Sequence, residues 1–298
     1  MTAAVVICTY AAERWSDLAR AVASVRGQAS QIVVAVDGDE ALAARVREAW
    51  PDVVVALNRG RRGLSGARNA GVAAADAEIV AFLDDDAEAA PDWLARLLAL
   101  YDDPRVLGAG GTIEPAWDAR RPGWFPEEFD WVVGCSYRGL PQSRTPVRNM
   151  IGANMSFRRA VLDEVGGFRD GIGRVGRKPV GCEETELCLR VLRRHPDGVL
   201  LHEPLARVAH RVPADRASWS YFWRRCWSEG LSKAVVSRAH GSGPALSSER
   251  AYATRVLPAA FGRSLADAAP ARAGAISAGL LVTSAGYVTG TVRGAEAA

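Results

Sequence analysis

At 298 residues, 49% of them hydrophobic, the chain is long enough to bury a sizeable core as one large domain or two ordinary ones, and general disorder is excluded. Lys and Arg number 37 against 34 Asp and Glu, with no long basic stripe, which argues against nucleic acid as a partner. The five cysteines, Cys8, Cys135, Cys182, Cys188 and Cys226, are odd in number and lack paired CxxC spacing, so free thiols are expected rather than disulfides or structural zinc.

The start, Met1 to Val5, lacks the basic region and apolar core of a signal peptide, so a cytoplasmic beginning is expected. Short apolar runs at Val5–Cys8, Ile32–Val36, Val53–Val55 and Ile79–Phe82 suit strands covered on both faces. Between them Leu18, Ala21, Val22 and Val25 recur at helical spacing, as do Leu42, Val46 and Ala49. This alternation predicts an α/β chain with a doubly wound, mixed but mostly parallel, Rossmann-like sheet. Ser65 is expected to cap a helix through Ala70, and Pro91 to open one carrying Leu94, Leu97 and Leu98. The Trp-, Pro- and Arg-rich region from Trp117 to Pro146 gives no assignable element. A strand follows at Gly152–Phe157, then a short helix ending near Gly166-Gly167, a Gly-rich loop from Gly171 to Gly181, and a helix from Glu183 to Leu192. Two short strands are expected around Leu200 and Val208.

The chemistry concentrates at Asp84-Asp85-Asp86, directly after the apolar run Ile79–Leu83. Acids at a strand's carboxyl end sit where α/β folds place ligands, and clustered carboxylates suit a hard cation such as Mg²⁺ or Mn²⁺. A solvated acidic turn explains the triplet alone equally well. Asp37 ends a strand one βα unit after Cys8-Thr9-Tyr10, where a carboxylate can accept from a ribose or base, or simply turn the chain beside Gly38. Glu183-Glu184-Thr185-Glu186 reads either as a site for a general base or as an acidic first helical turn.

Taken in order, Val6–Tyr10, Gln28, Asp37, Asn58, Ala67-Arg68-Asn69-Ala70-Gly71, Phe82–Asp86, Gly152–Met155, Gly166-Gly167-Phe168 and Glu183-Glu184 with Leu187 and Arg190 resemble the family 2 glycosyltransferases, with a flavour of actinobacterial members in Arg224–Ala234. The resemblance implies the GT-A fold and an inverting, metal-dependent sugar transfer from a nucleotide sugar, a UDP sugar by default. Carried over by position, it makes Thr9, Tyr10, Glu13, Asp37, Arg68, Asp84 and Asp85 donor contacts, and Asp86 with Asp84 the metal ligands. His210 completes the metal shell in this reading, and Glu184, or failing that Glu183, is the base. Cys8 in place of Pro, Asp37-Gly38-Asp39 in place of Asp-Asp-Gly-Ser, and Glu184 in place of Asp depart from the family pattern.

The expected organisation is residues 1-115 for nucleotide-sugar binding, 116-212 for acceptor binding and catalysis within the same domain, and 213-298 as a helical C-terminal extension. In that extension Trp219, Phe222, Trp223, Cys226 and Trp227 recur at helical spacing, and Ala273–Val292 is uncharged between Arg272 and Arg293. Both read as packed helices or as peripheral contacts with the inner face of a membrane, ahead of a true span. The acceptor is left open among a glycan, a lipid-linked and a small-molecule hydroxyl. A sugar-phosphate nucleotidyltransferase needs similar groups but usually a Gly-rich first loop, which Cys8–Arg14 lacks, and Gly108–Gly111 does not complete a dinucleotide fingerprint. A sugar-nucleotide-binding pseudoenzyme is the reading from another class.

Overall fold

The computed structural model describes residues 1–172 and 181–296. Its contacts divide the chain into two units, the first formed by Met1–Glu114, Pro141–Lys178 and Glu183–His210, the second by Pro115–Leu140, Pro179–Cys182 and Arg211–Ala298. Most of the predicted Gly-rich loop lies outside the described residues.

The first unit opens with β1 (Ala3–Thr9), α1 (Trp15–Val25), β2 (Gln31–Asp37), α2 (Glu40–Ala49), β3 (Val54–Asn58), α3 (Leu64–Ala74) and β4 (Ile79–Asp84). Continuous Val, Ile and Ala let β1, β2 and β4 be buried on both faces, as parallel strands between helices require. β1 lies between β2 and β4, parallel to both, with Cys8 opposite Asp84, and β3 adds parallel to β2 with Asn58 opposite Asp37. That register brings Thr9, Asp37 and Asp84 to one rim.

Beyond β4 come β5 (Ala87–Ala89), α4 (Trp93–Leu98), β6 (Val106–Trp117), β7 (Thr145–Pro146), β8 (Asn154–Arg158), α5 (Arg159–Val165), α6 (Glu183–Arg194) and β9 (Val199–Val212). The sheet runs β3-β2-β1-β4-β8-β6-β9-β5, with β7 on β9, and β8 and β5 pair antiparallel with β4 and β9.

Three local expectations are corrected, and one strand had none. Ser65 does not cap α3; Gly63 holds that position at φ 133°, a region open to glycine, and the Ser65 hydroxyl donates instead to the Ile172 carbonyl at 2.5 Å. Helix α4 starts at Trp93 rather than Pro91, and Gln28 accepts from Leu94 N–H at 3.1 Å to hold its first turn. The two strands expected near Leu200 and Val208 are one, β9. Strand β6 was hidden by its glycines, which are there for closeness: a Cβ on Gly111 would lie 1.8 Å from the Ala206 carbonyl oxygen and one on Gly110 2.7 Å from that of Asn154.

In the second unit α7 (Trp219–His240), α8 (Ser242–Ala245), α9 (Ser247–Ala251), α10 (Leu257–Ala266) and α11 (Pro270–Glu296) form the expected helical extension. Trp124 stacks on Trp219 at 4.1 Å and packs edge-on with Phe222, with Phe125 and Phe129 adjoining, which accounts for the aromatic richness that gave no sequence signal. Helix α7 runs parallel to α11 along a glycine seam: Gly279 meets Phe222, Gly286 meets the Trp227 backbone, and Gly290 meets Ala234. None of the five cysteines forms a disulfide.

Candidate active site

The rim of the first unit gathers most of the residues singled out from the sequence. Asp84 ends β4, and the antiparallel pairing of β5 with β9 sets His210 opposite Ala87, next to Asp86. The Asp86 Oδ1 to His210 Nε2 distance is 3.1 Å, and Asp84, Asp86 and His210 each offer a ligand atom within 4.8 Å of the others. Two carboxylate oxygens and an imidazole nitrogen converging in this way fit a divalent ion of the Mg²⁺ or Mn²⁺ kind.

Asp85 turns the other way. It is 4% exposed and takes a forked grip from Arg14, Nε at 2.9 Å to Oδ2 and Nη2 at 2.6 Å to Oδ1, while the same Nη2 lies 2.8 Å from Asp86 Oδ2. Burial pushes the Asp85 carboxyl up to about 6 against the lowering pull of Arg14. This bridge therefore fixes the backbone between the two candidate ligands, a role the sequence reading did not give Arg14. Nothing in the spacing of two residues so far apart in the chain signals it. Tyr10, 46% exposed, stands 5.7 Å by its ring centroid from the same guanidinium, Glu13 is exposed and Thr9 is buried.

Asp37 is built into a loop. Its Oδ1 accepts from Asn58 Nδ2 at 2.7 Å and its Oδ2 from Gly63 N–H at 2.9 Å, while Asn58 also donates to the Arg61 carbonyl. Asp39, beside it, caps α2 by accepting from Leu42 N–H at 2.9 Å.

Arg68 is 2% exposed, and its guanidinium faces inward. It lies 2.8 Å from Glu183 Oε1, 3.6 Å from Asp84 Oδ1 and 3.3 Å from the Gly152 carbonyl, between the rings of Phe82 and Phe168. Burial alone would lower its pKa, but Glu183 and Asp84 more than offset that and raise it, so the cation is permanent. Neighbouring motif residues serve this placement. Asn69 both accepts from and donates to the Phe168 backbone at 2.8 Å, and Arg190 donates to the Gly167 carbonyl at 2.6 Å while paired with the buried Glu186. Gly71 leaves room for Val6, which a Cβ would approach to 2.3 Å.

The acidic pair is thus divided. Glu183 is 5% exposed and committed to Arg68 through one oxygen, whereas Glu184 is half-buried on the same first turn of α6. Cys8, beside Asp84, is an inert thiol here: burial and the nearby carboxylates raise it to about 12 despite Arg68.

Comparison with known proteins bears on the family and the fold. The profile of a family described as "Glycosyl transferase family 2" matches residues 4–166. A relative from Haloferax volcanii, "Glucosyl-dolichyl phosphate glucuronosyltransferase", is 38% identical over 243 residues, covering 79% of this chain and 77% of its own. Because that relative is archaeal, the resemblance to actinobacterial members in particular is not supported. Among solved structures, a mannosyltransferase from Pyrobaculum calidifontis in complex with GDP-Man and Mn²⁺ superposes with a TM-score of 0.57 at 19% identity, over 96% of this chain and 86% of its own. GalNAc-T7 with UDP, GalNAc and Mn²⁺ does so with a TM-score of 0.54 at 22% identity over 78% of this chain, which spans 48% of that protein. At these identities the two structures bear on the fold alone, and it is the GT-A fold.

Proposed function

The chain belongs to glycosyl transferase family 2, and on that premise we propose that it moves a sugar from a UDP-sugar donor onto a lipid-linked, sugar-bearing acceptor, with inversion at the transferred carbon. The observation that carries the reading is the Asp84, Asp86 and His210 group joined through the buried Arg68 to Glu183, the first of the glutamate pair of α6. The acceptor class follows the lipid-phosphate substrate named for the Haloferax relative.

In this mechanism Asp84, Asp86 and His210 hold Mg²⁺ or Mn²⁺, whose contribution when bound is to offset the negative charge that grows on the departing diphosphate. Tyr10, Asp37 and the loop that Asp37 organises receive the nucleoside, with Thr9 and Glu13 at the same rim. Arg14 and Arg68 act behind the donor, fixing the acids that surround it. Glu184 takes the proton from the acceptor hydroxyl as that oxygen attacks the face of the sugar opposite the leaving group, so no protein nucleophile is needed. Glu183, tied to Arg68, keeps the first turn of α6 in place. Residues 1-115 serve the donor, 116-212 the acceptor and the chemistry, and the work is done at the cytoplasmic face of a membrane.

The test is Glu184→Gln, which keeps shape and removes the base. Loss of a general base lowers kcat by about a hundredfold to ten-thousandfold, and donor affinity measured by calorimetry should stay near wild type. Full turnover by Glu184→Gln would overturn the assignment, and turnover by both Glu183→Gln and Glu184→Gln would overturn the mechanism.

A further inference from the structure

The second unit exposes apolar surface that the first does not. Of the thirteen large hydrophobic side chains exposed among the described residues, nine lie on α7, α10 and α11. On α11, Leu281 is 69% and Val288 60% exposed. Each follows a seam glycine, Gly279 or Gly286, by two positions, which at 100° per residue sets it on the side of the helix turned away from α7. Trp223 and Trp227, one turn apart on α7, are exposed beside the buried Phe222 and Cys226, and Phe261 and Leu265 repeat the pattern on α10.

Two further facts say what covers this surface. From Ala273 to Val292 α11 carries no charge, and most of that stretch is not buried. The chain from residue 213 onward also has ten Lys and Arg against five Asp and Glu, although the whole chain carries only +3. Apolar side chains with exposed Trp and a surplus of Arg match an anionic lipid headgroup layer, where Trp sits at the interface and cations meet phosphate.

We propose that α7, α10 and α11 form a monotopic docking surface for anionic lipid, lying in the headgroup layer rather than crossing the bilayer. It deepens the reading of a lipid-linked acceptor and rests on it only for purpose, since the surface itself carries the argument. A second copy of the chain would not account for the cationic excess, because like-charged faces repel.

The experiment is co-sedimentation of the full chain, without donor or acceptor, with vesicles of phosphatidylcholine alone and of phosphatidylcholine with phosphatidylglycerol. Binding should favour the anionic vesicles by about tenfold at low salt, weaken as salt screens the charges, and fall about tenfold further in Leu281→Asp/Val288→Asp. Circular dichroism melting confirms that this variant folds, and Trp223→Ser/Trp227→Ser should show the same loss from the other helix. Equal sedimentation with both lipids, sedimentation unchanged in the variants, or none at all in folded protein would overturn the proposal. So would resistance to carbonate extraction, which means a span, or a dimer in size-exclusion chromatography that Leu281→Asp/Val288→Asp dissociates without any lipid binding. Because no substrate is present, failure here leaves the Glu184 test of the transfer mechanism intact.

Discussion

Arg68→Met removes the cation between Glu183 and Asp84, and its cost can be worked from the geometry. The guanidinium meets Glu183 at 2.8 Å, Asp84 at 3.6 Å and the Gly152 carbonyl at 3.3 Å, and Glu183 Oε2 has no hydrogen-bond partner of its own. Methionine fills the space between Phe82 and Phe168 but leaves a buried carboxylate uncompensated, a change that costs about 3–5 kcal/mol. In a chain of this size each kcal/mol lowers Tm by about 2–4 °C, so a fall of about 6–20 °C is expected. Glu183→Gln in the same background removes the stranded charge and should recover about 1–3 kcal/mol of that loss. Urea unfolding followed by circular dichroism, on wild type, both single variants and the double, closes the cycle. A cost below about 1 kcal/mol for Arg68→Met, or strictly additive variants, would refute the brace.

Arg14 fixes Asp85 and Asp86 at the proposed cation site, so Mn²⁺ should raise Tm less in Arg14→Gln than in wild type; an equal or larger shift in a thermal melt counts against that role. Asp130, pushed up to about 7 by burial against the pull of Arg121, holds its proton more tightly folded than unfolded. The stability this proton supplies is complete below about pH 4 and lost as pH rises through about 7, so Asp130→Asn should gain Tm relative to wild type across that window, and a pH-independent difference would be the contrary result. Gly111→Ala drives a Cβ to 1.8 Å from a β9 carbonyl and should cost about 1–3 kcal/mol or more. Gly123→Ala, with nothing within 4 Å, should be near neutral in the same denaturation assay.

The left half of the sheet was legible because each parallel strand announces itself: Val5–Ile7, Ile32–Val36 and Ile79–Leu83 are buried on both faces and have to be apolar throughout. Asp84, Asp86 and His210 were named from motif order, and the structure brings them together. What sequence order could not provide was direction. Arg68 reads as a donor contact by position, yet the fold turns it inward; motif order favours Glu184 over Glu183, and only the fold shows that Glu183 is tied to Arg68. Arg14 escaped notice because its partner Asp85 is reached only through the parallel pairing of β1 and β4. Strand β6 was missed because closeness of neighbouring backbones demanded glycine where strand propensity expects Val or Ile.

The pairing of Ala87 with His210 carries a lesson about timing. His210 stands near the far end of β9, more than a hundred residues after Asp84 and Asp86, which emerge among the first hundred. A growing polypeptide therefore displays the two acids long before the imidazole arrives, and the three converge only when the non-local pairing of β5 with β9 closes. On the proposed cation site, affinity for the ion would then report completed folding, and half-folded chains would lack the assembled group.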